Sequence, residues 1–258
     1  MRKHGEKELE GLLRELKLPA VLAHRGEAVA RAEREGWDFN RFLQYLAEVE
    51  VEQRRQRRLE KALRASKLPV DKTLATLDTK RLPAPVRRML PGLCEGGFVD
   101  RAENLLAFGL PGRGKTHLIC AIGAELLQRG YTVHFTPAYA LVQRLLAAKK
   151  ALTMEKELRR LDGFSVLIID DIGYIQQDRD EMEVLFTLLA ERYERRSVVL
   201  TSNLVFSQWD RIFKDPMTTA AAIDRVVHHS VILELTGQSF RAEAAKTRIQ
   251  NEEKSASA

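Results

Sequence analysis

The 258-residue sequence is poor in cysteine and has no long apolar run. Its two cysteines, Cys94 and Cys120, do not have the spacing of metal ligands, and in a chain of this length they imply no disulfide framework. No apolar stretch approaches the roughly 18 to 20 residues that cross a membrane, and the residues after Met1 are charged rather than typical of a signal peptide. We therefore expect a cytoplasmic protein that has no membrane partner.

Several recognition motifs are also missing. The sequence has no Asn-Lys-x-Asp motif for reading a guanine base, which argues against a GTPase. It shows neither a helix-turn-helix nor a zinc-binding module, so no apparatus for reading a base sequence in DNA is visible.

The charge balance, by contrast, is distinctive. The formal net charge is +6 and the isoelectric point is about 9.4, and a basic chain tends to associate with polyanions. Residues 53–67 carry seven basic residues and one acid on a predicted helix. A solvated helix with Glu52 and Glu60 as local partners would explain this pattern, and so would sequence-independent contacts with phosphates of duplex DNA. The second interpretation predicts six DNA-binding residues around the helix: Arg54, Arg55, Arg57, Arg58, Lys61 and Arg64.

Hydrophobic spacing divides the chain into a helical first third and an α/β remainder. Apolar residues recur at helical intervals up to about residue 66, and residues 67–97 contain four prolines and three glycines, as a linker with short helical turns would. From Asn104 onward, apolar strands alternate with helices, which is typical of a parallel sheet. Strands are predicted at 104–108, 132–136, 165–170, 197–202 and 231–235, and helices around 114–129, 137–162, 180–195 and 217–228 and from about 239.

The first predicted strand is followed by the string G-x-x-x-x-G-K-[ST], and a predicted helix follows the string. Its glycines let backbone N–H groups face a phosphate, and the helix adds its positive end. Lys115 is expected to reach the β and γ phosphates of ATP, and Thr116 to bind Mg²⁺. An incidental glycine-rich turn is the alternative. The predicted ATP-binding residues are Gly109, Leu110, Pro111, Gly112, Arg113, Gly114, Lys115, Thr116 and His117, although His117 is also compatible with simple packing.

Two acids follow the predicted strand at 165–170. Acidic residues at the carboxyl end of an apolar strand emerge where ligands bind in open α/β sheets. Asp170 is therefore expected to hold Mg²⁺ through water, and Asp171 to orient or deprotonate the attacking water. A solvated turn is the alternative for this pair. Asn203, which follows the next strand, is placed to hold the same water, or else it only forms a turn.

Seven segments together resemble one family, the IstB-like ATP-binding proteins that assist insertion-sequence transposases, which are AAA+ ATPases of the DnaC-like helicase-loader clade. The segments are LKLPA, REGWD, LPVDKTL, GLPGRGKTHL, LIIDDIGY, LTSNLVFSQW and AAIDRVVHHSVILELTGQSFR. The resemblance implies an α/β AAA+ P-loop fold with a five-stranded parallel sheet, preceded by a small all-helical domain. The expected boundaries are 1–66 for a helical DNA-binding and assembly domain, 67–100 for a linker, 101–250 for the AAA+ ATPase domain and 251–258 for a disordered tail.

The resemblance also implies roles that spacing alone does not. Asn203 matches the family's sensor-1 position, Arg225 resembles the arginine finger that reaches a neighbouring subunit's ATP, and Arg241 resembles the sensor-2 arginine. Without the resemblance, Asp224 and Arg225 would be interpreted as a surface pair. An arginine finger acting on a neighbour implies a homo-oligomer with ATP at its subunit interfaces.

The predicted function is that of an ATP-dependent, sequence-nonspecific DNA-binding ATPase that oligomerises on target DNA and recruits a transposase. Many AAA+ proteins have Glu where this chain has Asp171, and the shorter side chain predicts slow hydrolysis. A replicative helicase loader is the closest alternative, because it shares the ATPase core. A small-molecule P-loop kinase is a third, disfavoured by the basic helical region and by the lack of an evident acceptor-binding lid.

Overall fold

The computed structural model of the chain describes residues 2–174, 179–204 and 216–236. It divides into two compact units, Met1–Lys61 and Ala62–Ala258. In the part of the chain that is described, no helix is both long and apolar enough to cross a membrane.

The first unit consists of helices. Helix α1 covers Arg2–Glu15, α2 covers Pro19–Glu35, and α3 begins at Phe39 and continues to Ser66, just beyond this unit. The residue before α2 is Leu18, whose apolar side chain cannot cap the helix. The buried carboxylate of Glu50 in α3 caps the N-terminus of α2 instead. Its Oε2 accepts hydrogen bonds from the backbone nitrogens of Ala20 at 2.9 Å and Val21 at 3.3 Å.

The segment expected to be a linker, 67–100, contains regular structure. A 3₁₀ turn at Thr79–Arg81 precedes helix α4, Ala84–Glu95, and the short helix α5, Gly97–Asp100. Helix α4 packs against α6 (Lys115–Gln128) and buries four side chains: Val86, Leu90, Leu93 and Cys94. Three of the four prolines that suggested a linker belong to α4: Pro83 and Pro85 lie at its start, where proline is tolerated, and Pro91 lies within the helix.

The second unit is built on five parallel strands: β1 (Asn104–Phe108), β2 (Val133–Pro137), β3 (Val166–Asp170), β4 (Ser197–Ser202) and β5 (Ser230–Glu234). Their order in the sheet is β2-β3-β4-β1-β5. Helix α6 follows β1, helices α7 (Ala138–Lys150) and α8 (Met154–Asp162) follow β2, α9 (Arg179–Arg192) follows β3, and α10 (Pro216–Val227) precedes β5. The predicted five-stranded parallel α/β fold is therefore confirmed.

The core of this unit lies on both faces of the sheet. Every residue of β1 and β4 is buried, as expected for central strands covered by helices on two sides. Both cysteines are free and buried, and burial raises the pKa of Cys94 to about 11 and that of Cys120 to about 12. These thiols are therefore neutral packing groups at physiological pH.

One buried arginine links three segments at the amino-terminal ends of β3 and β4. Arg192, only 1% exposed, donates from Nη1 to the carbonyl of Leu161 at 3.0 Å. Its Nη2 donates to the carbonyls of Phe164 at 2.9 Å and Ser197 at 3.0 Å. Burial lowers the pKa of Arg192 to about 10, so the guanidinium remains charged near neutral pH. This side chain ties the end of α8 to the starts of β3 and β4.

Candidate functional site

The phosphate-binding loop joins β1 to α6 at the carboxyl edge of the sheet. Gly109 has φ +152°, and a Cβ added to it would lie 2.5 Å from the carbonyl oxygen of Leu235. Gly114, which precedes the first residue of α6, has φ +81°, a left-handed conformation that favours glycine. The loop therefore needs glycine at these two positions, one for close packing and one for its turn into the helix.

Lys115 is only 6% exposed although it carries a charge. Its Nζ donates to the carbonyls of Gly109 at 2.6 Å and Leu110 at 3.2 Å, both within the loop. The loop thus holds the ammonium group inside its own curve, beside the N-terminus of α6. That is the location required of a cation that binds phosphate oxygens.

The end of β3 brings Asp170 to the same loop. The hydroxyl of Thr116 lies 2.9 and 3.0 Å from the two carboxylate oxygens of Asp170. A hydroxyl and a carboxylate in contact offer the hard oxygen ligands that Mg²⁺ prefers, so this pair fits the predicted metal-binding role. Thr201 of β4, which the sequence analysis did not single out, also donates to Asp170 Oδ1, at 2.6 Å.

Asp171 lies one residue beyond the strand in a left-handed backbone conformation, with φ +62°. Such a conformation is uncommon for residues other than glycine, and Asp is among those that adopt it most readily. The backbone nitrogen of Asp171 donates to Thr201 Oγ1 at 2.8 Å. Asp171 also lines a cavity of about 290 Å³ together with the phosphate-binding loop.

The segment 72–78 forms another wall of this cavity, through Lys72, Thr76, Leu77 and Asp78. His117 connects that wall to α6, because its Nε2 lies 3.2 Å from the carbonyl of Thr73 and 3.1 Å from Thr76 Oγ1. A carbonyl oxygen can only accept, so the bond to Thr73 requires a proton on Nε2. His117 therefore holds the wall of the cavity in place. Pro111, Gly112 and Arg113 line the cavity with it.

Asn203, which follows β4, is partly buried, and its Oδ1 has no hydrogen-bond partner among the residues described. It packs against Gly173 in the 3₁₀ turn Ile172–Tyr174, just after the acid pair. A Cβ added to Gly173 would collide with Asn203 Oδ1 and lie 3.2 Å from its Cγ. Gly173 thus leaves room for the Asn203 side chain, a contact that motif spacing does not reveal because the two residues follow different strands.

Arg225 lies in α10, and its guanidinium carbon sits 4.6 Å from the centre of the Phe186 ring in α9. Its Nη1 is buried without a hydrogen-bond partner in the described residues. Within the same ranges, Arg225 makes no ion pair with Asp224, which the surface-pair interpretation would require. Arg241, the predicted sensor-2 residue, lies outside the described residues, as do the last helix expected from about 239 and the tail 251–258.

The six basic residues of α3 fall into two groups. Arg54 is engaged within its unit, because its Nε donates to Glu50 at 2.9 Å and its Nη2 to the carbonyl of Lys17 at 2.7 Å. The other five are exposed and form no ion pair within the described ranges, not even with Glu52 or Glu60: Arg55, Arg57, Arg58, Lys61 and Arg64. Within the described ranges, no carboxylate therefore neutralises the charges of the second group.

A phosphate-binding loop after β1, acids at the end of β3 and a polar residue after the neighbouring strand define a P-loop ATPase of the AAA+ class. A sequence model described as IstB-like ATP binding protein matches residues 11–248. The chain belongs to this family, and its members bind ATP.

Curated relatives agree with this assignment. The chain is 40% identical over 235 residues to an insertion sequence ATP-binding protein of Sinorhizobium fredii, covering 91% of this chain and 79% of that protein. It is 39% identical over 238 residues to the ATP-binding protein of insertion sequence IS5376 from Geobacillus stearothermophilus, covering 92% and 94%. Among solved structures, the DnaC helicase loader superposes with a TM-score of 0.54 at 17% identity, covering 65% of this chain and 98% of that one. That last likeness shows the fold alone.

Proposed function

We propose that this protein is an ATP-dependent, sequence-nonspecific DNA-binding ATPase that oligomerises on target DNA and there recruits or activates the transposase of its insertion sequence. The observation that carries the ATPase part is the contact of Thr116 with Asp170 beside the enclosed Lys115. Family membership supports the link to transposition, because the relatives are insertion-sequence proteins.

Each residue of the site has a distinct task in this proposal. Lys115 binds the β and γ phosphates, and Thr116 and Asp170 hold Mg²⁺, which when bound neutralises charge on the phosphate oxygens. Asp171 orients or deprotonates the attacking water, and Asn203 holds that water beside the γ phosphate. Arg241 acts on the nucleotide of its own subunit.

Arg225 acts on the nucleotide of a neighbouring subunit. Its position on the Phe186 ring supports this role, because a ring face can hold a guanidinium without using its hydrogen-bond donors. Nucleotide binding and assembly are then linked, since each complete site needs two subunits.

Hydrolysis is expected to be slow. Asp171 is one methylene shorter than a glutamate, so its carboxylate lies farther from a water at the γ phosphate. A turnover below about 10 s⁻¹, the median for enzymes in general, suits a protein that uses ATP as a switch. A much faster turnover would count against a regulatory role.

DNA binding is assigned to the exposed cations of α3. Phosphate contacts by Arg55, Arg57, Arg58, Lys61 and Arg64 predict an affinity that depends steeply on salt and little on sequence. Arg54, named with them from the sequence, would act at least in part through the stability of the first unit.

The DNA assignment is tested by binding of labelled duplex DNA over a range of salt concentrations. The double variant Arg57→Ala, Arg58→Ala should weaken binding about tenfold or more and reduce the slope of log K against log salt by about two. Arg14→Ala, Arg34→Ala is the matched control, because it removes the same charge from two exposed arginines of α1 and α2. Equal effects of the two pairs would assign binding to net charge rather than to α3.

Assembly is tested by measuring the mass of the particle with and without duplex DNA and a non-hydrolysable ATP analogue. The proposal predicts an oligomer when both are present and a DNA-stimulated ATPase. A monomer under every condition would contradict it. A helicase loader is the other candidate, supported by the likeness to DnaC in fold. Binding of the purified chain to a replicative helicase, with none to its element's transposase, would favour that candidate.

A further inference from the structure

A third side chain, that of Thr201, contacts both residues of the acid pair Asp170 and Asp171. It lies on β4, the strand between β1 and β3, directly opposite Ala107 in the register of β1. The side chain is fully buried. Its hydroxyl lies 2.6 Å from Asp170 Oδ1 and 2.8 Å from the backbone nitrogen of Asp171. One hydroxyl group thus contacts both residues of the acid pair.

The chemistry of these contacts fixes the direction of each hydrogen bond. A backbone N–H can only donate, so Thr201 Oγ1 accepts from Asp171. The hydroxyl proton of Thr201 is then free to go to Asp170 Oδ1. Because both roles of the hydroxyl are taken, its rotation is fixed, and the two acids are connected through one atom.

Each contact restrains a different feature of the site. The bond to Asp170 and the bond from Thr116 hold the same carboxylate from two directions. The bond from Asp171 gives its N–H a partner while the backbone there is left-handed. Without the Thr201 hydroxyl, the Asp170 carboxylate would lose one restraint, and the partly buried N–H of Asp171 would lose this hydrogen bond.

We propose that Thr201 is a positioning residue for ATP hydrolysis, which sets the orientation of the Asp170 carboxylate and the backbone conformation of Asp171. It acts through these two residues and does not itself touch the nucleotide. The inference rests on the ATPase activity proposed above and adds to it a residue of the neighbouring strand.

The test replaces the hydroxyl without changing the shape of the side chain. Thr201→Val should lower kcat about 10- to 100-fold, the usual effect of removing a partner that orients a metal ligand. The Mg²⁺ concentration for half-maximal activity should rise at least about threefold, whereas KM for ATP should stay within about threefold because Lys115 and the loop are unchanged. Thr201→Ser, which keeps the hydroxyl, should restore both quantities to within about threefold of wild type.

Thr136→Val is the matched control. Thr136 lies at the corresponding end of β2 and is only 4% exposed, but its hydroxyl contacts the carbonyl of Pro137 rather than either acid. A role of strand threonines in packing alone would make the two valine variants alike. Unchanged kcat and Mg²⁺ dependence in Thr201→Val, or failure of Thr201→Ser to restore them, would overturn the inference.

Two further measurements cover the cases in which Thr201→Val does not fold or the wild type shows no ATPase activity. If Thr201→Val does not fold, Thr201→Cys replaces it, because a thiol is small but is a weak hydrogen-bond donor. Wild-type kcat and Mg²⁺ dependence in Thr201→Cys would overturn the inference. If the wild type itself hydrolyses no ATP with or without DNA, the proposed ATPase function fails. Mg²⁺-dependent binding of a fluorescent ATP analogue then tests Thr201 separately, and an unchanged Mg²⁺ requirement in Thr201→Val would refute its role.

Discussion

Replacing Gly173 by alanine should disable the site through Asn203 while leaving the phosphate-binding loop intact. Gly173 does not have a positive φ, so alanine can adopt its backbone conformation. The added Cβ, however, would lie more than 1 Å inside the 3.4 Å at which ordinary contact with Asn203 Oδ1 begins. Asn203 must therefore move by a distance of that order, or the 3₁₀ turn after Asp171 must shift instead.

A displacement of about 1 Å in a catalytic group lowers rates by roughly 100-fold. We therefore expect kcat of Gly173→Ala to fall about 30- to 100-fold, with KM for ATP nearly unchanged, in a steady-state ATPase assay with duplex DNA. Overpacking is also expected to lower the free energy of unfolding by about 1 to 3 kcal/mol. Gly92→Ala is the control, since nothing lies within 4 Å of a Cβ added there.

The double variant decides whether the effect passes through Asn203. Once Asn203 is alanine, its amide no longer occupies the space that the new Cβ needs. Adding Gly173→Ala to Asn203→Ala should then cost less than about threefold more in kcat, a strongly non-additive result. Wild-type kcat in Gly173→Ala, or an equal loss in both backgrounds, would show that the effect does not pass through Asn203.

Three other predictions concern stability. Arg192→Met leaves buried carbonyls without donors and should lower the free energy of unfolding in urea by about 3 kcal/mol or more. Arg192→Lys should recover little of this stability. A loss below about 1 kcal/mol in Arg192→Met would contradict this prediction. Burial lowers the pKa of His134 to about 4 from 6.5, so the unfolded chain binds the proton first. The contribution of His134 to the free energy of unfolding should be constant above pH 6.5 and be lost towards pH 4, by at most about 1.4 kcal/mol per pH unit. The difference in free energy of unfolding between wild type and His134→Asn should change with pH in that range. A difference that is the same at every pH would contradict the lowered pKa of His134. Arg54→Ala should lower the melting temperature more than Arg58→Ala, because only Arg54 bonds to Glu50 and Lys17; equal changes would argue against this.

The fold and the centre of the site could be predicted because their signals are local. A loop that cradles phosphate needs glycines, Lys115 and Thr116 at fixed spacing, and a buried strand that ends in acids is visible as four apolar residues before Asp170. The alternation of strands and helices predicted the parallel sheet for the same reason.

Thr201 and Gly173 could not be predicted in this way. Their roles arise only because β4 lies between β1 and β3, and no local pattern states the order of strands in a sheet. Helix α4 could not be predicted for a different reason. Pro91 lies inside it, and prolines favour the interpretation of a segment as a linker. Burial of its apolar stripe, 86, 90 and 93, outweighs the lost hydrogen bond.

In the proposed mechanism, each ATP is hydrolysed by the loop of one subunit and Arg225 of its neighbour. Mixing Lys115→Ala with Arg225→Ala, each expected to be inactive alone, tests this shared site in the presence of ATP and duplex DNA. Random assembly at equal amounts should create complete sites at about a quarter of the interfaces, so about a quarter of wild-type turnover should return. The control mixes Arg225→Ala with the Lys115→Ala, Arg225→Ala double variant and should recover nothing. If the first mixture also stays inactive while both variants assemble on DNA, the shared site is contradicted.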